Sequence, residues 1–323
     1  MGLLLNLIAN ENMKIYRRMR TWILVILIVA IVLLTGILMK THEAPPSSNW
    51  RTALQAQTTQ LQQELTQVQG KHVFMPARAT AGMEIQIKKN QYEISHNIAP
   101  AQYTAWSFTS TIEQRAIGVL LTVFVAIVAG DIVAGEFSSG TIKLLLTRPQ
   151  TRARILLSKY VATLIFAVFM MAVTIVASLV IGGVLYGFAN ASQTYVYMDA
   201  SGHVQQMGMI PYIFTNYAFN SVSMLMTVTI AFMISTIFRS SAIAIAISIL
   251  SLFIGNTLVA VLSSYSWDKY ILFANTDLSQ YVFNGPLISG MTMTFSIIVL
   301  VVYFIVMNGL SWFLFKKRDV ALT

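Results

Sequence analysis

Six apolar runs divide this chain, each near or above the ~20 residues a helix needs to cross a bilayer. They cover residues 22–39, 116–134, 155–187, 215–238, 241–262 and 290–315. The third is long enough to tilt or to project beyond the lipid. The fourth and fifth are separated only by Arg239 and Ser240, a tight hairpin on one membrane face. The pattern predicts an all-α polytopic membrane protein with six transmembrane helices. Ahead of the first run, residues 1–21 mix Leu3, Leu4, Leu5, Leu7 and Ile8 with Lys14, Arg17, Arg18 and Arg20. That mixture suits an amphipathic interfacial helix on the cytoplasmic leaflet, its basic end feeding the first span. A short unstructured tail is the plainer alternative.

Residues 40–115, between spans one and two, are too many for a plain connector. Within them Leu54, Leu61 and Val68 repeat at seven, with Leu65 alongside. One narrow apolar stripe therefore runs down a Gln/Thr-rich helix that stops near Gly70. Two heptads are too few for a free-standing coiled coil, so the stripe packs on the rest of the insertion or on the same helix of a second subunit. Residues 83–94 (MEIQIKKNQYEI) alternate briefly and read as a strand. Residues 188–214 read as an extracytoplasmic loop. In 263–289, Tyr265, Trp267, Tyr270, Phe273, Tyr281 and Phe283 are interspersed with Asp268, Lys269, Asn275 and Asp277. Aromatic rings with polar tips favour the membrane interface, so this stretch reads as short helices dipping into the outer leaflet or as a simple aromatic anchor.

Composition agrees with the pattern. The chain is 56% hydrophobic and 10% charged, where a soluble domain carries about 25% charged residues. Its net charge of +9 raises nucleic acid as a partner, but the basic residues sit beside the apolar runs, as on a cytoplasmic membrane face. Membrane lipids are therefore the expected contact, and nucleic acid is not. If six spans alternate, thirteen of the 21 Lys and Arg fall on one side. Both termini are then cytoplasmic, with residues 316–323 a cytoplasmic tail. The run at 22–39 exceeds a signal-peptide core, and no small-x-small cleavage pattern follows, so it reads as a retained anchor.

Catalytic and cofactor motifs are missing. No G-x-x-x-x-G-K-[ST] loop exists to cradle ATP. There is no cysteine and no H-E-x-x-H, and the four histidines are scattered through presumed external loops. No G-x-S-x-G context appears. The expectation is a protein that is not an enzyme and holds no metal or cofactor itself.

A few polar positions inside the spans invite function. Asp131 lies about one turn inside the end of span two, where an acid is costly and needs a partner. An ion pair between helices is the first reading and a proton relay the second. Asn220 and Ser223 in span four and Asn256 in span five suit either a translocation path or hydrogen bonds between helices.

The stretch 130–160, GDIVAGEFSSGTIKLLLTRPQTRARILLSKY, lies between spans two and three and organises the rest. Its core resembles the first cytoplasmic loop of ABC-2-type permeases, the membrane subunits of ABC exporters. The matching features are Glu136, Ser138-Ser139, Gly140-Thr141, Leu144-Leu145-Leu146, Pro149 and Arg152. The ending Phe315-Lys316-Lys317-Arg318 also looks like that family's tail. The long insertion 40–115 departs from its short-loop members.

The resemblance implies a permease that uses ATP and Mg bound by a partner ATPase, and that dimerises with itself or with a related permease. It implies a cytoplasmic coupling loop at 135–154 comprising Glu136, Gly140, Thr141, Lys143, Leu144, Leu145, Arg148, Pro149 and Arg152. The leucines would dock as an apolar knob in a groove of the ATPase, and the arginines would meet its acidic rim. Glu136 is placed at that interface by resemblance; by position alone it caps a helix, pairs with Lys159 or meets a partner's arginine. The alternative from another class is a membrane-anchored sensor or assembly protein that binds a ligand or partner through 40–112.

Overall fold

The computed structural model describes residues 2–42, 49–70, 77–100, 103–114, 116–142, 150–262, 265, 267–283 and 290–317. Helices dominate. In chain order they are α1 (Gly2–Arg17), α2 (Met19–His42), α3 (Trp50–Gly70), α4 (Ala77–Ser95), α5 (Ala105–Gln114), α6 (Ala116–Asp131), α7 (Ala134–Ser138) and α8 (Arg152–Tyr186). After the strands β1 (Thr194–Met198) and β2 (Val204–Gly208) come α9 (Met209–Ile237), α10 (Ser241–Leu262), α11 (Leu272–Asn275) and α12 (Met293–Lys317). Five of these helices are long and apolar enough to cross a membrane, and α5 with α6 makes a sixth crossing if the pair, bent by 57°, is one span. The all-α membrane class expected from the sequence is thus present, with one small hairpin added.

α8 is the axis of the bundle. Thr151 caps its start, its side chain accepting from Arg154 N. α1, α2, α5 and α6 all pack along it. α2 turns one stripe inward, Thr21, Leu24, Ile28, Val32, Gly36 and Met39, at the three- and four-residue spacing of a single helix face. The close approach needs Gly36, where a Cβ would lie 2.7 Å from Leu185 Cδ1. Gly182 does the same against α5, since its Cβ would meet Ala105 Cα at 3.0 Å. On the other side of α6, helices α9, α10 and α12 complete the bundle. Its exposed apolar side chains, such as Ile26, Val180, Phe253 and Ile305, face outward as a lipid-contacting surface would.

The insertion departs from expectation in one respect. Residues 83–94 are helical, within α4, and not a strand. Ile87 and Asn90 are both buried, at helical spacing, and Asn90 Nδ2 donates to Thr58 Oγ1 of α3 at 3.2 Å. The leucine stripe of α3 therefore finds its partner within the same insertion. Contact with α3 decides the period, and a short alternation such as Ile85-Gln86-Ile87 is compatible with either.

Residues 188–214, expected to be a loop, hold an antiparallel hairpin with Thr194 opposite Gly208 and Met198 opposite Val204. Asp199 Oδ1 accepts from Ser201 N and His203 N, both at 2.9 Å, and so shapes the turn. The hairpin is also the mount for the insertion. Gln206 Nε2 donates to Tyr92 OH at 3.0 Å, and Lys89 sits 5.0 Å above the Tyr195 ring, which stacks on Tyr212 of α9.

The aromatic stretch folds inward between α10 and α12. Phe273 occupies the space that a side chain at Gly255 would need. Asn275, buried, accepts from Ser296 Oγ at 2.6 Å and donates to the carbonyls of Lys269 and Ile271.

Candidate functional site

At the end of the bundle where α6 stops, five charged elements converge. α6 breaks after Asp131 and resumes as the five-residue α7. The break has a clear cause: Ser235 Oγ of α9 accepts from Val133 N at 3.1 Å and Ala134 N at 3.0 Å, diverting two amides from the helix ladder. Gly135 is required on the far side, because a Cβ there would sit 2.6 Å from Asp131 Oδ1.

The turn delivers Glu136 inward, against α1 and α8. Its Oε1 lies 2.7 Å from Lys159 Nζ of α8 and 3.0 Å from Lys14 Nζ of α1. Lys159 is fully buried and also reaches Glu11 Oε2 at 2.8 Å and the Ile132 carbonyl at 3.3 Å. Lys14 closes the set on Glu11 Oε1 at 2.7 Å. Two carboxylates and two ammoniums thus cancel in charge across α1, α7 and α8. A single unpaired charge at this depth would be strongly destabilising, whereas charges that cancel within a network are tolerated; of the four groups' atoms, Glu136 Oε2 is buried without a hydrogen-bond partner among the described residues. Burial pushes the Glu11 carboxyl upward, but the Lys159 and Lys14 ammoniums outweigh it and hold the group below its ordinary range. Burial pulls Lys14 down, and the two glutamates outweigh that and raise it.

A second set lies beside the first. Asp131, buried at the end of α6, is paired with Arg18, with Arg20 at 2.7 Å, and with the hydroxyl of Ser241 at the start of α10. It joins the α1–α2 connection to α6 and α10, so the interhelical ion-pair geometry is present. Of the alternatives open for Glu136, the described contacts are those with Lys159 and Lys14. Gly140 has φ +71°, a left-handed position that favours glycine. Thr141 Oγ1 bonds Ser139 Oγ at 2.9 Å and sits at the foot of α7. Arg152 Nη1 donates to the Lys316 carbonyl at 3.1 Å, joining the start of α8 to the end of α12. Lys143, Leu144, Leu145, Arg148 and Pro149 lie outside the described residues.

Sequence reasoning missed Glu11 and Lys14. A signal existed: Glu11 is the lone acid in residues 1–42, three residues before Lys14 and so on the same helical face.

Toward the opposite end lies a cavity of about 420 Å³, between the α5–α6 bend, α8, α9 and the inward-folded 272–277 stretch. Asn220 and Ser223 line it, with Thr122, Thr174 and Thr227 as further polar points and Ile117, Leu121, Met224 and Phe273 as apolar wall. Asn256 is on α10, its side chain outside the described residues. Along α6 the cavity residue nearest the ion-pair sets, Thr122, precedes Asp131 by nine residues, roughly 14 Å of helix. Among the described residues no group of three or more His, Asp or Glu side chains is arranged to hold a metal.

A bundle of apolar helices with buried, mutually neutralised charges at one end and a polar-spotted cavity toward the other defines a helical membrane protein. Within that class the chain belongs to the family described as protein of unknown function DUF2705, which matches residues 77–321. It is 38% identical over 323 residues to the uncharacterized protein YhcI of Bacillus subtilis strain 168, covering 98% of this chain and 100% of that one. It is 29% identical over 208 residues to the uncharacterized membrane protein YdbK of the same strain, covering 64% of this chain and 80% of that one. The family match takes in Asp131, Glu136 and Lys159 but begins after α1, which supplies their partners Glu11, Lys14 and Arg18.

Proposed function

We propose that this chain is the permease subunit of an ABC-2-type exporter, moving its substrate across the cell membrane with ATP hydrolysed by a separate ATPase chain. The observation that supports this most is how the G-E-F-S-S-G-T element is mounted. It follows the broken end of α6 directly, and Glu136 at its head is braced by Lys14 and Lys159. A docking loop can transmit a partner's movement only if its root is rigid, so that the motion reaches the spans as a rigid-body displacement.

In this reading α1 lies along the cytoplasmic leaflet and both termini are cytoplasmic. Leu144, Leu145 and Arg148 meet the ATPase, which binds ATP and Mg. Two permease chains pair, and the cavity bearing Asn220 and Ser223 belongs to the path. The test is co-purification from cells expressing the chain with the ATPase encoded beside it. An ATPase that co-elutes, and is lost on Leu145→Asp or Arg148→Glu while the permease stays folded, is the expected result. The sensor reading is favoured by the α3–α4 pair, whose α4 rests on the β1–β2 hairpin. A chain that never retains an ATPase, yet captures a partner through residues 40–112, would replace the exporter reading with that one.

A further inference from the structure

We infer that the bundle cavity is a binding site for a small hydrophobic cation. The inference deepens the exporter reading and rests on it for calling the ligand cargo; the binding itself does not depend on an ATPase. The volume of about 420 Å³ suits a compact molecule, not a polymer segment. Most of the wall is apolar, so an occupant gains by burying hydrocarbon. Among the described lining residues only Asp277 is charged. Its two hydrogen bonds, from Ser279 N at 3.1 Å and Ser279 Oγ at 2.6 Å, both fall on Oδ1, and no described residue bonds Oδ2. Phe273 and Tyr217 line the same space, and aromatic rings beside a bound cation add to its attraction. A carboxylate within a largely apolar site favours a positive occupant over a neutral or negative one of equal shape.

Two probes of matched shape and opposite charge decide it: tetraphenylphosphonium and tetraphenylborate. Their binding is measured on the full chain, without ATPase, in phosphatidylcholine nanodiscs, with empty nanodiscs subtracted. The expected result is saturable binding of the phosphonium, weaker by about tenfold in Asp277→Asn and abolished when Ser223→Phe fills the space. Asparagine keeps an oxygen for the Ser279 bonds, so the fold near Asp277 is retained. Asp277→Glu should bind like the parent. Absence of saturable phosphonium binding, equal or stronger binding of the borate, or indifference to Asp277→Asn overturns the inference. Should Asp277→Asn fail to fold, the comparison of the two probes on the unaltered chain decides alone. An ATPase that never co-elutes would sink the exporter reading and leave this site standing; loss of the site would leave the exporter reading standing.

Discussion

The two ends of the bundle are held together by different forces. At the charged end, Glu11, Lys14, Glu136, Lys159, Asp131, Arg18 and Arg20 meet in bonds of about 3 Å or less. Five separate helices, α1, α2, α6, α7 and α8, cannot shift there without parting these charges. At the cavity end α6 and α8, together with α5, α9 and the 273–277 stretch, surround about 420 Å³ of unfilled space lined by hydroxyls, aliphatic side chains and aromatic rings. Ion pairs in a low-dielectric site are directional and costly to break, whereas apolar walls slide and repack at small cost. The charged end is thus fixed by directional contacts, and the cavity end by side-chain packing around open space.

The largest expected effect comes from removing the fully buried cation. Lys159→Met leaves Glu11 and Glu136 with Lys14 as their one shared cation and one buried negative charge uncompensated, and should cost about 3–5 kcal/mol. Thermal unfolding in detergent would read this, and loss of less than about 1 kcal/mol would mean the cluster is not a clamp. Next is Gly135→Ala, whose Cβ meets Asp131 Oδ1 at 2.6 Å; about 1–3 kcal/mol is expected from the forced shift. Breaking one side only, Glu11→Gln should release α1 from α8 to proteolysis while leaving the spans intact.

At the cavity end the expectation is the reverse. Ser223→Ala should change stability by less than about 0.5 kcal/mol, and a large loss there would erase the distinction between the ends. The smallest effect is one of pH. Glu11 is held below its ordinary 4.5, so its contribution is present above that value and lost only as the pH falls through the lowered one. Lys14 is raised above its ordinary 10.5, so its contribution is present below that value and lost only as the pH climbs past the raised one. Protease release of α1 should therefore be flat from about pH 6 to about pH 9; a transition within that window would mean that another group controls the clamp.

How much was legible depended on the kind of signal. Long apolar runs predicted α2, α8, α10 and α12 to within three residues and α9 to within six, because hydropathy summed over a long helix outweighs local detail. α5 was missed as a helix, since Ser107, Thr109, Ser110 and Thr111 make it look polar. Three of those hydroxyls bond carbonyls three or four residues back in their own helix, Thr109 to Ala105 and Ser110 and Thr111 to Ser107, which hides their polarity from lipid. The β1–β2 hairpin was missed although Tyr195-Val196-Tyr197 and the Asp199-Ala200-Ser201-Gly202 turn are ordinary hairpin chemistry. The strand expected at 83–94 failed because α3 supplied a helical partner.

Asp131 announced its need for a partner by its depth alone, but not which partners. That choice was made by residues more than 100 positions away, Arg18, Arg20 and Ser241. The sequence by itself determined that the chain lives among lipids, where its helices run, and that the acids near α7 must be neutralised, because hydrophobic length and unpaired charge are local energies. Only the tertiary structure decided that Glu136 turns inward, that α1 is bolted to α8, and that Asn220, Ser223 and Asp277 share one cavity. Those facts depend on which helices come to lie side by side, and a local pattern holds no information about distances across the bundle.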